Sequence, residues 1–169
     1  VRPTPDRIRE TLFNWLQHGV AERACLDLYA GSGALGLEAL SRGAKKVVFV
    51  ERDPPVARQI SATLELLKAQ GGHVVCADVL RFLAGTATPF DLVFADPPYA
   101  ERVLPAVCTA LEDGGWLAPG ALIYLESAAR DGTPVLPEGW TLHRSKRAGE
   151  VGYHLAARAG AESDREAGS

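Results

Sequence analysis

A glycine turn set between an apolar run and a helical pattern constrains this chain more than any other feature. It lies in the stretch CLDLYAGSGALGLEALSRGAKKVVFVERD, residues 25–53. Cys25 to Ala30 is a short apolar run fit for a buried strand. Gly31-Ser32-Gly33-Ala34-Leu35-Gly36 then turns into a helical pattern with Leu35, Leu37, Ala39 and Leu40 at its apolar positions. Val47 to Val50 is a second β-branched run, and it ends on Glu51. Strand, glycine turn, helix and strand make one βαβ unit of about thirty residues, the size of a right-handed parallel crossover. The glycines let a ligand approach the backbone closely, and the strand-end acid can accept hydrogen bonds from a ribose diol. A nucleoside cofactor is therefore expected. Gly31, Gly33 and Gly36 satisfy G-x-G-x-x-G with Glu51 about twenty residues on, which by itself favours NAD. The alternative is a turn that only packs helix against strand, and choosing the cofactor needs the rest of the chain.

At 169 residues the chain has room for one domain with a core that needs no staples. An apolar fraction of 47% beside 23% charged residues suits a globular protein, and no apolar run approaches a membrane span. No signal peptide is visible, but the chain begins at Val1, so an upstream segment is left open. Cys25, Cys76 and Cys108 lie in apolar surroundings without a C-x-x-C pair, and read as buried thiols in a reducing compartment. The four histidines show no ligand spacing, so no metal is expected. The net charge of −3 gives no general pull toward nucleic acid. Glu162, Asp164 and Glu166 against Arg165 put −2 of it in the last eleven residues, which leaves −1 for residues 1–158. Positive charge is local, in Arg2, Arg7 and Arg9 and again in His143, Arg144, Lys146 and Arg147; solvated charge is the alternative reading of each cluster.

Asp6 is expected to cap a first helix over Arg7–Gln17, with Ile8, Leu12, Trp15 and Leu16 on one face. Asp53-Pro54-Pro55 opens another helix, running to about Gln70 with Val56, Ile60, Leu64 and Leu67 inward. His73–Ala77 reads as a third strand, followed by Asp78 and a short helix over Val79–Leu83. Asp78 serves equally as a helix cap and as a ligand contact at a strand's carboxyl end. Phe90–Ala95 is a fourth strand, Arg102–Glu112 a helix, Pro119-Gly120 a turn and Ala121–Glu126 a fifth strand. Trp140–Ser145 and Val151–Ala157, flanking a connection over Lys146–Glu150, read as an antiparallel hairpin, and residues 159–169 as a disordered tail. The pattern predicts an α/β three-layer sandwich: a Rossmann-like, mostly parallel seven-stranded sheet that ends in an antiparallel hairpin, in a single domain over 1–158.

Asp96-Pro97-Pro98-Tyr99 at the end of the fourth strand decides the chemistry. The carboxylate accepts one N–H, and the prolines fix the backbone and leave neighbouring carbonyls free to accept another. The aromatic ring offers a surface on which a planar base can stack. Preplaced acceptors for both hydrogens of an exocyclic amine draw its nitrogen toward tetrahedral geometry and aim the lone pair at an electrophile. A methyl sulfonium on the glycine loop is the natural electrophile; a proline turn with Asp96 as a helix cap is the alternative.

With these residues in place, the chain resembles the class I S-adenosylmethionine-dependent methyltransferases, and more closely the bacterial 16S rRNA guanine-N2 methyltransferases of the RsmD type. The likeness is carried by RPTPDRIRETLFNWL from Arg2, DLYAGSGALGLEALSRGA from Asp27, FVERD from Phe49, DPPY from Asp96 and RAGEVGY from Arg147. These blocks run in the family's order over nearly the whole chain; the glycine motif and DPPY specify chemistry, and the opening block narrows the family. Two departures stand out: Pro5 replaces an expected second threonine, and the hairpin that usually precedes this block is absent from the sequence.

The resemblance implies that Asp27, Gly31, Gly33 and Gly36 form the loop at the methionine end of S-adenosylmethionine. It implies that Glu51 binds the ribose and Asp78 the adenine amine, with Tyr29, Arg52, Val79 and Asp96 also against the cofactor. Asp96 and the Pro97 carbonyl hold the guanine amine, with Pro98 and Tyr99 completing the catalytic set. Arg2, Thr4, Arg7, Arg9, Lys146 and Arg147 become RNA-contact candidates, the last four expected to be exposed and some of them to rim the Tyr99 pocket. The implied partner is 16S rRNA or the small ribosomal subunit, and the implied state a cytoplasmic monomer. Rival readings are a DNA adenine-N6 or protein glutamine methyltransferase with the same DPPY chemistry, and, further off, an NAD-dependent oxidoreductase. No target-recognition domain is evident for the first, and no catalytic Tyr-Lys or His pair for the last.

Overall fold

Helix α1 spans Asp6–Leu16, one residue ahead of its expected start. Asp6 therefore lies inside the first turn, Pro5 takes the cap position without a side-chain bond, and Asp6 pairs with Arg9 at 2.9 Å. Ile8, Leu12, Phe13 and Leu16 are buried, while Trp15 is only half-buried, so Phe13 fills the inward position that periodicity assigns to Trp15. The computed structural model describes residues 5–98 and 102–160; the segment containing Tyr99, the first four residues with Arg2 and Thr4, and the tail from 161 lie outside it.

Strands β1 (Ala24–Leu28), β2 (Lys46–Glu51) and β3 (Gly72–Cys76) pair in parallel, β1 with β2 and β2 with β3. Helix α2 (Ala34–Ser41) connects the first two and α3 (Pro54–Leu66) the next. Asp53 caps α3 through Val56 N–H, with prolines in the first turn. The helix stops short of Gln70 because Lys68 adopts φ 51° and the Lys68 and Ala69 N–H groups fold back onto the carbonyls of Glu65 and Leu64. Leu67, expected inward, is 62% exposed as a result, and Ala57 joins Ile60 and Leu64 on the buried face. Cys76 is also exposed, at the end of the outermost strand, unlike the buried Cys25 and Cys108.

Helix α4 (Val79–Leu83) leads to β4 (Phe90–Ala95), α5 (Leu104–Asp113), β5 (Leu117–Ala128), β6 (Trp140–Ala148) and β7 (Val151–Arg158). β4 and β5 run parallel, then β5–β7 and β7–β6 are antiparallel. The Pro119-Gly120 turn is absorbed as an irregularity within β5: Phe90 aligns with Leu117, but Leu92 aligns with Leu122. The hairpin connection is tighter than expected. Ala148 faces Val151 across Gly149-Glu150, with Gly149 at φ 60°, so Lys146 and Arg147 belong to strand β6 and not to a turn. His143 is left between the paired residues Leu142 and Arg144, a bulge in β6. Ala159, assigned to the loose tail, donates its N–H to Gly139 at 2.8 Å.

The seven strands form one sheet in the order β3-β2-β1-β4-β5-β7-β6, the mostly parallel α/β architecture expected. The chain divides into two compact units, Val1–Phe82 and Leu83–Ser169. In the first, Cys25, Leu26, Val47, Phe49, Val50 and Ile60 are fully buried. In the second, Phe90, Leu92, Phe94, Ile123 and Tyr124 form the interior, and Glu112 ties the periphery by accepting from Trp140 and Arg158. Partial burial works to raise the Glu112 pKa, but the Trp140 and Arg158 hydrogen bonds and the Arg158 charge bring it below the ordinary carboxylate value.

Candidate active site

In the first unit, β1 ends in a segment of left-handed backbone: Tyr29 and Gly31 at φ 58° and Gly33 at φ 81°. Gly33 is the N-cap of α2 and donates its N–H to the Ala30 carbonyl at 2.8 Å, closing the turn. Gly36 answers a different demand, because a Cβ there would meet the Phe49 ring at 2.8 Å and Val47 at 2.9 Å. The first glycines shape the loop, and the third lets α2 lie on β2.

Two buried carboxylates hold this loop. Asp27, 2% exposed, accepts from Gly36 N–H at 3.0 Å and so fastens the start of α2 to β1. Burial pushes its pKa up to about 8; the Gly36 hydrogen bond opposes the rise, and the charge of Glu51 adds to it. Glu51, 6% exposed, uses both oxygens, Oε1 accepting from Gly31 N–H and Oε2 from Asp53 N–H, each at 2.9 Å. The strand-end acid therefore fixes the glycine loop on one side and the start of α3 on the other. Each carboxylate oxygen still has a second lone pair for a ligand donor.

Asp78 is exposed at the end of β3 and caps α4, its Oδ2 accepting from Arg81 N–H at 3.2 Å. Val79 beside it is buried, Arg52 is exposed, and Tyr29 is half-buried at the loop. These residues line the loop ends that follow β1, β2 and β3 within one unit, together with Asp27, Glu51 and the three glycines. The arrangement fits a nucleoside cofactor: closely approachable glycine backbone, a carboxylate for a diol and an exposed acid for an amine.

In the second unit, β4 delivers Asp96, half-buried, and Pro97, buried, directly after Ala95. A cavity of about 320 Å³ adjoins Pro97 and Pro98. The start of α5, the end of β5 and the loop that includes Pro134 supply its other walls. Glu126 and Ser127 of β5 line it, as does Arg102, and none of the three was among the sequence candidates. A signal for Glu126 exists: it follows the apolar run ALIYL toward the carboxyl end of a parallel strand, as Asp78 and Asp96 follow theirs.

The basic candidates divide. Arg7, Lys146 and Arg147 are exposed. Arg9 is not largely exposed: it pairs with Asp6 at 2.9 Å and reaches Glu38 at 4.0 Å, and Glu38 also binds Arg42 at 2.9 Å. Arg42 in turn lies over the Phe13 ring at 4.9 Å, so this chain of charges docks α1 against α2. Neither Lys146 nor Arg147 lines the cavity beside Pro97 and Pro98; Arg102 is the basic residue there.

A family model described as "Conserved hypothetical protein 95" matches residues 1–157. Ribosomal RNA small subunit methyltransferase D of Escherichia coli (strain K12) is 49% identical over 167 residues, covering 98% of this chain and 84% of that protein. Its namesake in Haemophilus influenzae is 44% identical over 159 residues, covering 92% and 82%. The chain belongs to the RsmD methyltransferase family. The solved structure of the Escherichia coli protein yhhF superposes with a TM-score of 0.90 at 48% identity, covering 94% of this chain and 89% of that one.

Proposed function

We infer that this protein transfers the methyl group of S-adenosylmethionine to the exocyclic N2 amine of a guanine in small-subunit (16S) ribosomal RNA. The observation that carries this reading is the Asp96-Pro97-Pro98 end of β4 in a chain of the RsmD family. When bound, S-adenosylmethionine supplies an electrophilic methyl carbon on a sulfonium. Asp27 and Glu51 hold the glycine loop in shape before any ligand arrives, through the bonds to Gly36 and Gly31. Glu51 would accept the ribose hydroxyls on its remaining lone pairs, and Asp78 the adenine amine, while Tyr29, Arg52 and Val79 would flank the nucleoside. Asp96 and the Pro97 carbonyl would each accept one N–H of the guanine amine, with Pro98 keeping the strand end rigid and Tyr99 stacking on the base. Held on these two acceptors, the amine would present its lone pair to that methyl carbon, and Asp96 would be placed to take the proton that the nitrogen gives up on methylation. The reading carries with it a monomeric enzyme in the bacterial cytoplasm, where ribosomal RNA is made.

The test is incubation with labelled S-adenosylmethionine and, separately, unmethylated small ribosomal subunits, naked 16S RNA, DNA and protein. Label recovered as N2-methylguanosine from small-subunit RNA is expected. Label in DNA adenine or in protein glutamine instead would overturn the reading.

Glu51→Ala should weaken S-adenosylhomocysteine binding by about 1–3 kcal/mol, since charge-assisted bonds to the ribose are lost and the Gly31 clamp goes with them. Calorimetry showing unchanged affinity would remove Glu51 from the cofactor site. NAD should not compete at comparable concentration.

A guanine must leave its stack to reach Asp96, at a cost of a few kcal/mol that phosphate contacts recover. Lys146 and Arg147 on β6 and Arg7 on α1 are exposed cations available for that grip, with Arg2 and Thr4 further candidates. Replacing Lys146 and Arg147 together with alanine should weaken RNA binding and reduce the slope of log affinity against log salt by about 2, leaving cofactor affinity unchanged. An unchanged salt slope would take β6 out of the RNA surface.

A further inference from the structure

We propose that Glu126 reads the target guanine, accepting its N1–H beside the amine held at Asp96 and Pro97. The inference rests on guanine being the target and adds the residue that selects it.

The β4–β5 register places the two acids together. Phe94 aligns with Tyr124 and Ala95 with Leu125. Asp96 and Glu126 are the residues that directly follow this last aligned pair on the two chain segments. The electrostatics agree, because the charges of Glu126 and Asp96 both bear on the Tyr124 phenol. Glu126 is 3% exposed, yet it lines the cavity that Pro97 and Pro98 border. Its Oε2 accepts from the Tyr124 hydroxyl at 2.8 Å, which fixes the carboxylate's orientation. Burial, followed by the neighbouring Glu126 charge, raises the phenol's pKa well above the usual value, so Tyr124 keeps that proton and remains the donor.

The cavity, at about 320 Å³, is at the small end of ligand sites, the scale of one base and not of an extended cofactor. Its proline walls are flat and apolar, and its polar side chains are those of Arg102, Glu126, Ser127, Asp131 and Thr133. A purine lying there is distinguished by its edge. Guanine presents N1–H and the N2 amine side by side, two adjacent donors that would match Glu126 in the cavity wall and Asp96, which immediately precedes the Pro97 wall. Adenine and 2-aminopurine present a lone pair at N1, which a carboxylate repels. Asp-Pro-Pro chemistry accepts any exocyclic amine; Glu126 supplies the discrimination that chemistry lacks.

The experiment measures nucleoside binding to the full chain saturated with S-adenosylhomocysteine, using 2-aminopurine riboside fluorescence and its displacement by guanosine. Wild type should prefer guanosine by ~10-fold or more, the scale of one well-placed base contact. Glu126→Gln should shrink or reverse the preference, because its amide can turn to donate to the N1 lone pair of 2-aminopurine. Wild type that does not discriminate, or folded Glu126→Gln that discriminates like wild type, overturns the proposal. Should Glu126→Gln fail to fold, Tyr124→Phe removes only the orienting phenol and should narrow the preference; an unchanged ratio overturns the proposal equally. Failure of the wild type to methylate small-subunit RNA, measured separately, sinks the guanine-methylation reading but leaves the measured base preference standing.

Discussion

Asp96→Ala lowers methyl transfer to small-subunit RNA by roughly 10²-fold or more, the usual scale for one preorganised electrostatic acceptor, and leaves S-adenosylhomocysteine affinity near that of wild type. The separation follows from where the residue sits. Asp96 comes directly off β4 in the second unit, whereas the loop clamps are Asp27 and Glu51 in the first. Alanine removes an acceptor that matters most when the amine nitrogen becomes tetrahedral and its hydrogens turn more acidic. Asparagine keeps an amide oxygen that can still accept one N–H, so Asp96→Asn should retain partial activity. Single-turnover rates beside calorimetric cofactor affinities give both readouts. Full activity in both variants would mean that the amine is positioned by something else.

Gly36→Ala costs about 3 kcal/mol of stability and lowers Tm by roughly 6–12 °C, at the upper end of what overpacking a tight core does. The added methyl has no space, since the Phe49 ring and Val47 of β2 already occupy its position. Either α2 lifts from β2 or Phe49 moves, and both shift the Gly36 N–H that Asp27 holds. Cofactor affinity should therefore fall with stability. Gly132→Ala is the control: φ is 71° there, unlike at the helical Gly36, and nothing lies within 4 Å of the added carbon, so only the backbone preference of about 1 kcal/mol is lost. Similar melting temperatures for the two variants would remove the packing role of Gly36.

Much of this architecture was legible in the chain because its elements are locally determined. β4 occupies Phe90–Ala95, the span of its apolar run, and Asp53-Pro54-Pro55 starts α3 as a capping acid followed by prolines should. Elements misread from sequence were those decided by distant partners. Helix α3 ends early through a left-handed residue at Lys68, which carries no composition signal. β5 runs through Pro119-Gly120 because its pairing with β4 tolerates an irregularity there. β6 extends to Ala148 because a full run of β7 residues is available to pair with it. At the site, strand-end acids pointed to Glu51, Asp78 and Asp96, and the family resemblance to Asp27. That Glu51 spends both oxygens on backbone N–H groups was not readable, since a motif reports residue type and not how the carboxylate is shared. Glu126 escaped notice because it lies within an otherwise apolar strand with no motif around it, its position near the strand's carboxyl end being the sole signal.

The antiparallel end of the sheet has a consequence for how the molecule behaves in a crowded solution. β6 is one of the two edge strands, β3 being the other, and its outer backbone groups would be a template for a strand from another copy. Arg144, Lys146 and Arg147 are exposed along it, and a bulge at His143 breaks its flat run. Two such edges brought together would set cation against cation and could not keep a common register across the bulge. An RNA backbone meets neither obstacle, because it is a polyanion that needs no strand register. On this edge, the same cations and bulge that would suit a polyanion would oppose the addition of a second β6.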